Sequence, residues 1–191
     1  MKYLILVTIF ISSFLISCQS AEEKAAEKAK QDSLAACVVH DRFLHLVDSS
    51  ETVMKADKNY DQRNAMGTLK AYNDFVQKYP TDTMTDEYLF RASDLAQGAK
   101  QYTQAAEYLE TILANHKDYR KYRIACFTAA YIYDSYLEEV NHGDDRAKQL
   151  YQFVIDNYPN TSEAEQSKIL ITKVGIPDDV WIQEIIKKGG K

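Results

Sequence analysis

One pattern of small, apolar and aromatic residues recurs along this chain at intervals of three and four residues. It appears as Thr68, Tyr72, Phe75, Tyr79 and Pro80, and again as Ala147, Tyr151, Val154, Tyr158 and Pro159. A third copy without the proline lies between them, at Ala105, Leu109 and Ile112. Residues three and four positions apart share one face of an α helix. Recurrence of a whole helical stripe predicts an array of helix pairs, with an irregular helical bundle as the alternative.

The helices that precede these stripes also align with one another. Small and apolar residues match in two segments, Leu89, Ala92, Ser93 and Ala96 in one and Cys126, Ala129, Ala130 and Tyr133 in the other. Small side chains at such positions let neighbouring helices approach closely. No stretch shows the alternation of a β strand. The sequence therefore predicts an all-α chain.

Local signals predict where the helices begin and end. Pro80 and Pro159 are expected to close helices, because the residue before a proline is disfavoured in the helical conformation. Asp144 and Asp145 suit a helix N-terminus, and residues 162–165 form a capping box that starts another helix. Residues 32–57 should form one or two opening helices, with a break at 48–50. Residues 162–174 and 178–188 are expected to form a closing pair, covered by Trp181 and Ile182.

The alternation of small and large residues resembles the tetratricopeptide repeat family over residues 63–174. The resemblance implies an antiparallel helix-pair solenoid of about three to four pairs. Two departures are Lys100, where the family usually has glycine at the helix turn, and about five extra residues around 138–143. In that family the first helix of each pair lines a concave groove, which by position would contain Phe90, Asp94, Gln97, Phe127, Tyr131 and Asp134. Aromatic rings among carboxylates and amides suit an extended peptide, and a solvated helix face is the alternative for Asp94 and Asp134.

The N-terminus is typical of a secreted protein. Lys2 precedes an apolar run over residues 3–16, which is too short for a comfortable membrane span. Leu15, Ser17 and Cys18 resemble the lipobox of bacterial lipoproteins, which implies cleavage before Cys18 and lipid attachment to it. A plain secretory signal and an uncleaved anchor are the alternatives. The predicted organisation is a signal over residues 1–17, a charged Ala/Glu/Lys linker over 18–31 and a helical domain over 32–191.

Composition and motifs favour a binding role over chemistry. The formal net charge of −5 offers no basic surface for nucleic acid. The sequence has no HExxH motif, CxxC pair or glycine-rich phosphate loop, so we expect no enzyme, metal or cofactor. Cys37 and Cys126 are expected to be either buried apolar residues or a disulfide.

The lipidated start and the repeats together resemble the BamD family of outer-membrane assembly lipoproteins, although this chain is shorter than members with five helix pairs. The resemblance implies a lipid-anchored scaffold that holds envelope proteins, within an assembly complex or in envelope maintenance. No aspartate follows Cys18, which resembles lipoproteins of the outer membrane facing the periplasm. The acidic pair Glu22 and Glu23 resembles the surface-export tags of Bacteroidota lipoproteins, which leaves the cell surface as the alternative. The alternative function is a surface lipoprotein that binds glycan or peptide, similar in style to SusD-like proteins.

Overall fold

The computed structural model describes residues 21–56, 61–138 and 143–189. Within these ranges the chain forms eight α helices and no β strand, which confirms the all-helical prediction there. The helices are α1 (Ala21–Ala56), α2 (Gln62–Lys78), α3 (Thr85–Gly98), α4 (Tyr102–Asn115), α5 (Tyr122–Tyr136), α6 (Gly143–Asn157), α7 (Ser162–Leu170) and α8 (Asp178–Gly189). None of these helices combines the length and the apolar composition that crossing a bilayer requires.

The chain divides into two compact units, Met1–Leu46 and Val47–Lys191. In the first unit, residues 21–30 of α1 are only alanine, glutamate and lysine, which favour a helix without providing an apolar face. Every residue from 21 to 39 is exposed, including the apolar Leu34, Val38 and Val39. The rest of the described helical structure, including the end of α1, belongs to the second unit.

The predicted break at residues 48–50 is wrong, because α1 runs uninterrupted to Ala56. The hydroxyl of Ser50 donates to the carbonyl of Val47 at 2.8 Å, and the hydroxyl of Thr52 donates to the carbonyl of Asp48 at 2.8 Å. These polar side chains bond back to their own helix, so they interrupt neither its backbone nor its direction.

Each helix from α2 to α6 packs on the next one along the chain. The contacts are made at small residues that are completely or almost completely buried: Ala92, Ala105, Ala129, Ala130 and Ala147. A buried methyl group leaves room for the neighbouring backbone, and larger side chains between these positions fill the remaining space. The core therefore follows the small and large positions that the sequence pattern identified.

The aligned tyrosines Tyr72 and Tyr151 occupy similar environments. Tyr72 is 3% exposed and Tyr151 is 0% exposed. The Tyr72 hydroxyl donates to Glu51 Oε1 on α1 at 2.8 Å, and the Tyr151 hydroxyl donates to Asp134 Oδ2 on α5 at 3.2 Å. Each ring is thus buried while its hydroxyl reaches a carboxylate on the preceding helix, as a buried phenol requires.

The ends of the aligned helices repeat at the level of single hydrogen bonds. The backbone N–H of the last aligned residue bonds the carbonyl four positions earlier: Tyr79 to Phe75 at 2.8 Å, His116 to Ile112 at 2.9 Å, and Tyr158 to Val154 at 3.0 Å. The turns after α2 and α4 then continue alike, with Asp82 N–H to Tyr79, Thr85 N–H to Asp82, Tyr119 N–H to His116 and Tyr122 N–H to Tyr119. The turns after α2 and α4 therefore share the same pattern of backbone hydrogen bonds.

Most predicted helix boundaries agree with the structure. Helix α2 ends just before Pro80 and α6 just before Pro159, and Asp144 and Asp145 lie in the first turn of α6. The capping residue of α7 is Thr161, one position earlier than predicted, because its Oγ1 accepts a hydrogen bond from the Ala164 N–H at 3.3 Å.

The extra residues expected around 138–143 do not lengthen α5, which has 15 residues against 14 in α3. Residues 139–142 fall outside the described part of the chain. At the end of the chain, Ile182 is 51% exposed and does not provide the cover predicted for it.

Carboxylates that are buried or half-buried join segments of the second unit that are distant in the chain. Glu87 on α3 accepts hydrogen bonds from Arg91 at 3.2 Å, Tyr119 at 2.9 Å, Arg120 at 3.0 Å and Lys121 at 3.0 Å. Arg91 also donates to Glu51 at 2.7 Å. Two parallel bonds of 2.7 Å connect Arg146 on α6 to Glu110 on α4. Paired charges of this kind fix how one helix lies against another.

Candidate binding site

The structure divides the predicted groove residues of α3 between core and surface. Phe90 is 9% exposed, packs against the Tyr119 ring at 6.1 Å and lies 4.8 Å beneath the Lys121 ammonium. It therefore belongs to the core. Asp94 is exposed, and the half-buried Gln97 turns its amide toward the Ser93 hydroxyl of its own helix at 3.4 Å. The three residues do not form one continuous surface.

Of the three groove residues predicted on α5, two line the same cavity and one supports the core. Phe127 is half-buried and tilts against the Tyr151 ring at 6.0 Å, so it mainly supports the core. Tyr131 is 41% exposed, and Asp134 lies one helical turn further along. Both Tyr131 and Asp134 line the same cavity.

This cavity, which we call the α5 pocket, has a volume of about 740 Å³. Its walls come from the end of α5, the start of α6 and the segment that links α7 to α8. The lining residues are Tyr131, Asp134, Ser135, Glu138, Asp144, Lys173, Gly175, Ile176 and Pro177. A volume of this size accommodates a side chain or a short peptide segment.

Two local features build the wall opposite α5. Asp144 lies in the first turn of α6, where the helix dipole favours a negative charge. Gly175 has a φ of +79°, and a Cβ there would lie 2.7 Å from Asp144 Oδ2. Glycine is thus required both for the left-handed backbone and for the close approach of the carboxylate.

The α5 pocket is electrostatically acidic. Asp134, Glu138 and Asp144 supply three carboxylates, against the ammonium of Lys173 in the lining and that of Lys148, which lies 3.8 Å from the Cβ position of Gly175. Burial raises the pKa of Asp134, and the charges of Asp144 and Glu138 raise it further, while the Tyr151 hydroxyl and Lys173 oppose the change. Oδ1 of Asp144 is buried and has no hydrogen-bond partner within the described residues. The like charges are therefore close enough to destabilise one another.

Exposed tyrosines continue from the α5 pocket onto the neighbouring surface. Tyr136 is 44% exposed, meets Tyr131 edge-on at 6.1 Å and stacks on Tyr102 of α4 at 3.7 Å. Tyr136 and Tyr102 were not singled out from the sequence. Their spacing carried no signal, because residues five apart lie about 140° apart around a helix and Tyr102 comes from another helix.

A second cavity of about 360 Å³ contains the predicted residue Asp94 together with Glu51, Tyr72 and Arg91. Three of these residues are already joined, since Glu51 accepts from both the Tyr72 hydroxyl and Arg91. Burial alone would raise the pKa of Glu51, but bonds from Lys55, Tyr72 and Arg91 outweigh it and lower the pKa. We interpret this cluster as structural because its charges are satisfied internally.

The predicted lipid-attachment residue Cys18 lies outside the described residues. The thiols of Cys37 and Cys126 are both free, the first exposed and the second buried. Burial raises the pKa of the Cys126 thiol to about 12, so the thiol stays protonated as a small core residue. No group of three or more histidine, cysteine or acidic side chains is arranged for a metal ion in residues 21–56, 61–138 and 143–189.

Comparisons with known proteins add no family to these observations. No protein-family model matches the sequence, and no curated protein matches it.

Proposed function

We propose that this protein is a lipid-anchored lipoprotein of the bacterial envelope that serves as a protein–protein interaction scaffold. On this proposal the helices form pairs of the tetratricopeptide type, and Cys18 carries the lipid that holds the domain at the outer membrane, facing the periplasm. The role requires binding and no catalytic step. Support comes from the recurrence of buried positions and turn hydrogen bonds along α2, α4 and α6.

The observation that carries the proposal is the convergence of Tyr131 and Asp134 on the α5 pocket. Both positions were selected because the first helix of a tetratricopeptide pair presents them to a partner. An exposed aromatic ring beside carboxylates is suited to an extended protein segment, because rigid rings supply contact area with little loss of entropy. Participation in outer-membrane protein assembly, as in the BamD family, is the specific form of this proposal.

Glycan binding is the second candidate, and the exposed rings of Tyr131 and Tyr136 favour it. Sugars stack on open aromatic faces, however, and one face of Tyr136 is already covered by Tyr102 at an interplanar angle of 2°. The acidic lining of the α5 pocket also fits a cationic protein segment better than a neutral sugar. We therefore rank the protein partner first.

Membrane fractionation tests the lipid anchor. Cys18→Ala should move the full-length protein from the membrane fraction to the soluble fraction, because about 0.8 kcal/mol per buried CH₂ group is lost with the acyl chains. Cys37→Ala is the matched control, since it removes an exposed thiol of α1 and should leave the protein on membranes. Unchanged membrane retention of Cys18→Ala would refute the anchor.

Affinity capture tests the scaffold role. The tagged full-length protein, extracted from its own membranes in detergent, should recover one or a few envelope proteins in stable proportion. Tyr131→Ala should reduce that recovery, while Glu107→Gln, an exposed change on α4, should not. Recovery of no protein by the wild type would contradict the proposal.

A further inference from the structure

The α5 pocket has a chemistry that selects among protein partners. We propose that it receives an arginine or lysine side chain from an extended basic segment of the partner protein. This inference rests on the proposed function, which supplies the partner, and adds the chemical class of the segment that the partner presents.

Charge complementarity is the first argument. Three carboxylates line the pocket, against Lys173 in the lining and Lys148 beside Gly175, so acidic groups outnumber basic groups by one among the described residues. Glu138 is the exposed carboxylate of this lining, so its oxygens face a ligand in the pocket. A guanidinium or ammonium group would donate charge-assisted hydrogen bonds to them.

The aromatic wall is the second argument. Tyr131 borders the pocket and is 41% exposed, which leaves its ring available to a ligand. Tyrosine rings attract cations through the negative potential of their faces. The same chemistry is already used elsewhere in this chain, where the Lys121 ammonium lies 4.8 Å from the centre of the Phe90 ring.

The shape of the pocket is the third argument, because it favours a side chain carried by a peptide over a small free cation. About 740 Å³ exceeds what one guanidinium group fills. Ile176 and Pro177 add an apolar wall on the side opposite α5, against which the methylene groups of arginine or lysine can pack. A peptide segment would fill this volume, whereas a free polyamine would leave Ile176 and Pro177 exposed to water.

Calorimetric titration of the full-length protein in detergent micelles tests the proposal. The probe is a seven-residue glycine–serine peptide with one central arginine, compared with the same peptide carrying glutamine and with spermidine. We expect the arginine peptide to bind at least about five-fold more tightly than the glutamine peptide. It should also bind more tightly than spermidine.

Two variants at exposed positions locate the binding without threatening the fold. Glu138→Gln removes one charge and Tyr131→Ala removes the ring, and each should weaken binding of the arginine peptide about three- to five-fold. The matched controls are Glu107→Gln on α4 and Phe153→Ala on α6, both exposed and outside the pocket, and both should bind like the wild type.

Several results would overturn the inference. They are equal affinity for the arginine and glutamine peptides, tighter binding of spermidine, or wild-type affinity in Glu138→Gln. Competition by maltoheptaose that depends on Tyr131 but not on Glu138 would instead assign the pocket to a neutral glycan. If membrane capture recovers a partner while the arginine peptide shows no preference, the inference fails and the scaffold proposal stands. If membrane capture recovers no partner and the arginine peptide shows no preference, both the scaffold proposal and this inference are contradicted.

Discussion

Lys100 ends helix α3 in a conformation that ordinarily belongs to glycine. Its φ is +60°, the left-handed region in which a Cβ is unfavourable. The N–H of Gln101 bonds the carbonyl of Ala96 at 2.8 Å, and the N–H of Lys100 bonds that of Gln97 at 2.9 Å. These two bonds define a Schellman motif with Lys100 at its left-handed position. The departure from the tetratricopeptide pattern noted in the sequence is therefore a change of residue without a change of backbone.

Lys100→Gly should stabilise the protein. Removing the Cβ relieves about 1–2 kcal/mol of strain in the left-handed conformation. The greater conformational entropy of glycine in the unfolded chain offsets part of this stabilisation. We expect a net gain of about 0.5–1 kcal/mol in the free energy of unfolding, measured by urea denaturation. Lys100→Ala keeps the Cβ and should change stability little. A loss of stability in the glycine variant would mean that this turn is built differently.

Glu87 should make the stability of the protein depend on acid pH. Burial alone would raise the pKa of Glu87, but hydrogen bonds from Lys121, Arg120, Tyr119 and Arg91 outweigh it and lower the pKa from 4.5 to about 2. Since the folded protein holds the ionised form, its contribution is fully present above pH 4.5. It is lost as the pH falls from there toward about 2, and it amounts to about 3 kcal/mol.

Urea denaturation at a series of pH values measures this contribution. Glu87→Gln should flatten the fall in stability between pH 5 and pH 2, roughly the interval in which Glu87 takes up its proton. The exposed Glu107→Gln should leave the wild-type slope intact. A slope in Glu87→Gln as steep as that of the wild type would show that other carboxylates control acid unfolding.

At the scale of helices, close packing depends on alanines that leave no spare volume. Ala129 on α5 is 0% exposed, in a helix that contacts α4, α6 and α7. Interiors at this density do not absorb additional methyl groups without strain. The small positions thus determine how near neighbouring helices lie, and Arg146 with Glu110 then fixes α6 against α4 at half-buried sites.

Ala129→Leu should destabilise the protein by about 1–3 kcal/mol through overpacking, read as a lower urea midpoint. Ala114→Leu on α4 is the control, because Ala114 is exposed and leucine is a good helix former. Equal midpoints for Ala129→Leu and the wild type would place the helix contact elsewhere.

Much of the element-scale structure was predictable because helices are local. Tyr72 and Tyr151 were identified as equivalent core positions from spacing alone, and proline correctly marked the ends of α2 and α6. The break at 48–50 was predicted wrongly, since polar residues near a helix interior can satisfy their hydroxyls on their own helix. Composition alone does not show whether such hydroxyls bond to their own helix or interrupt it.

The α5 pocket could be predicted only in part. Position in the repeat selected Tyr131 and Asp134. It could not show that Tyr119 and Lys121, in the connection between α4 and α5, cover Phe90. Lys173, Gly175 and Pro177 join the pocket from a connection about forty residues further along the chain. Their position at the pocket depends on how α7 packs on α6. This packing is a property of the tertiary structure, and no local sequence pattern predicts it.

At the scale of the whole molecule, the proposed lipid and the proposed pocket serve one purpose. On the proposed function, a lipid on Cys18 would confine the protein to a surface and so raise the effective concentration of any partner in the same membrane. A pocket that binds one basic side chain then needs only modest affinity of its own. The charged, fully exposed start of α1 is suited to stand between lipid and binding domain as a semi-rigid spacer.

The claim that a partner protein occupies the α5 pocket is tested most directly by site-specific photo-crosslinking in living cells. A photo-reactive amino acid replaces Tyr131 in the pocket or, as the control, the exposed Lys117 in the loop after α4. The account predicts a discrete crosslinked adduct with an envelope protein from position 131, weakened by Glu138→Gln and absent from position 117. No adduct from position 131, or the same adducts from both positions, would contradict it.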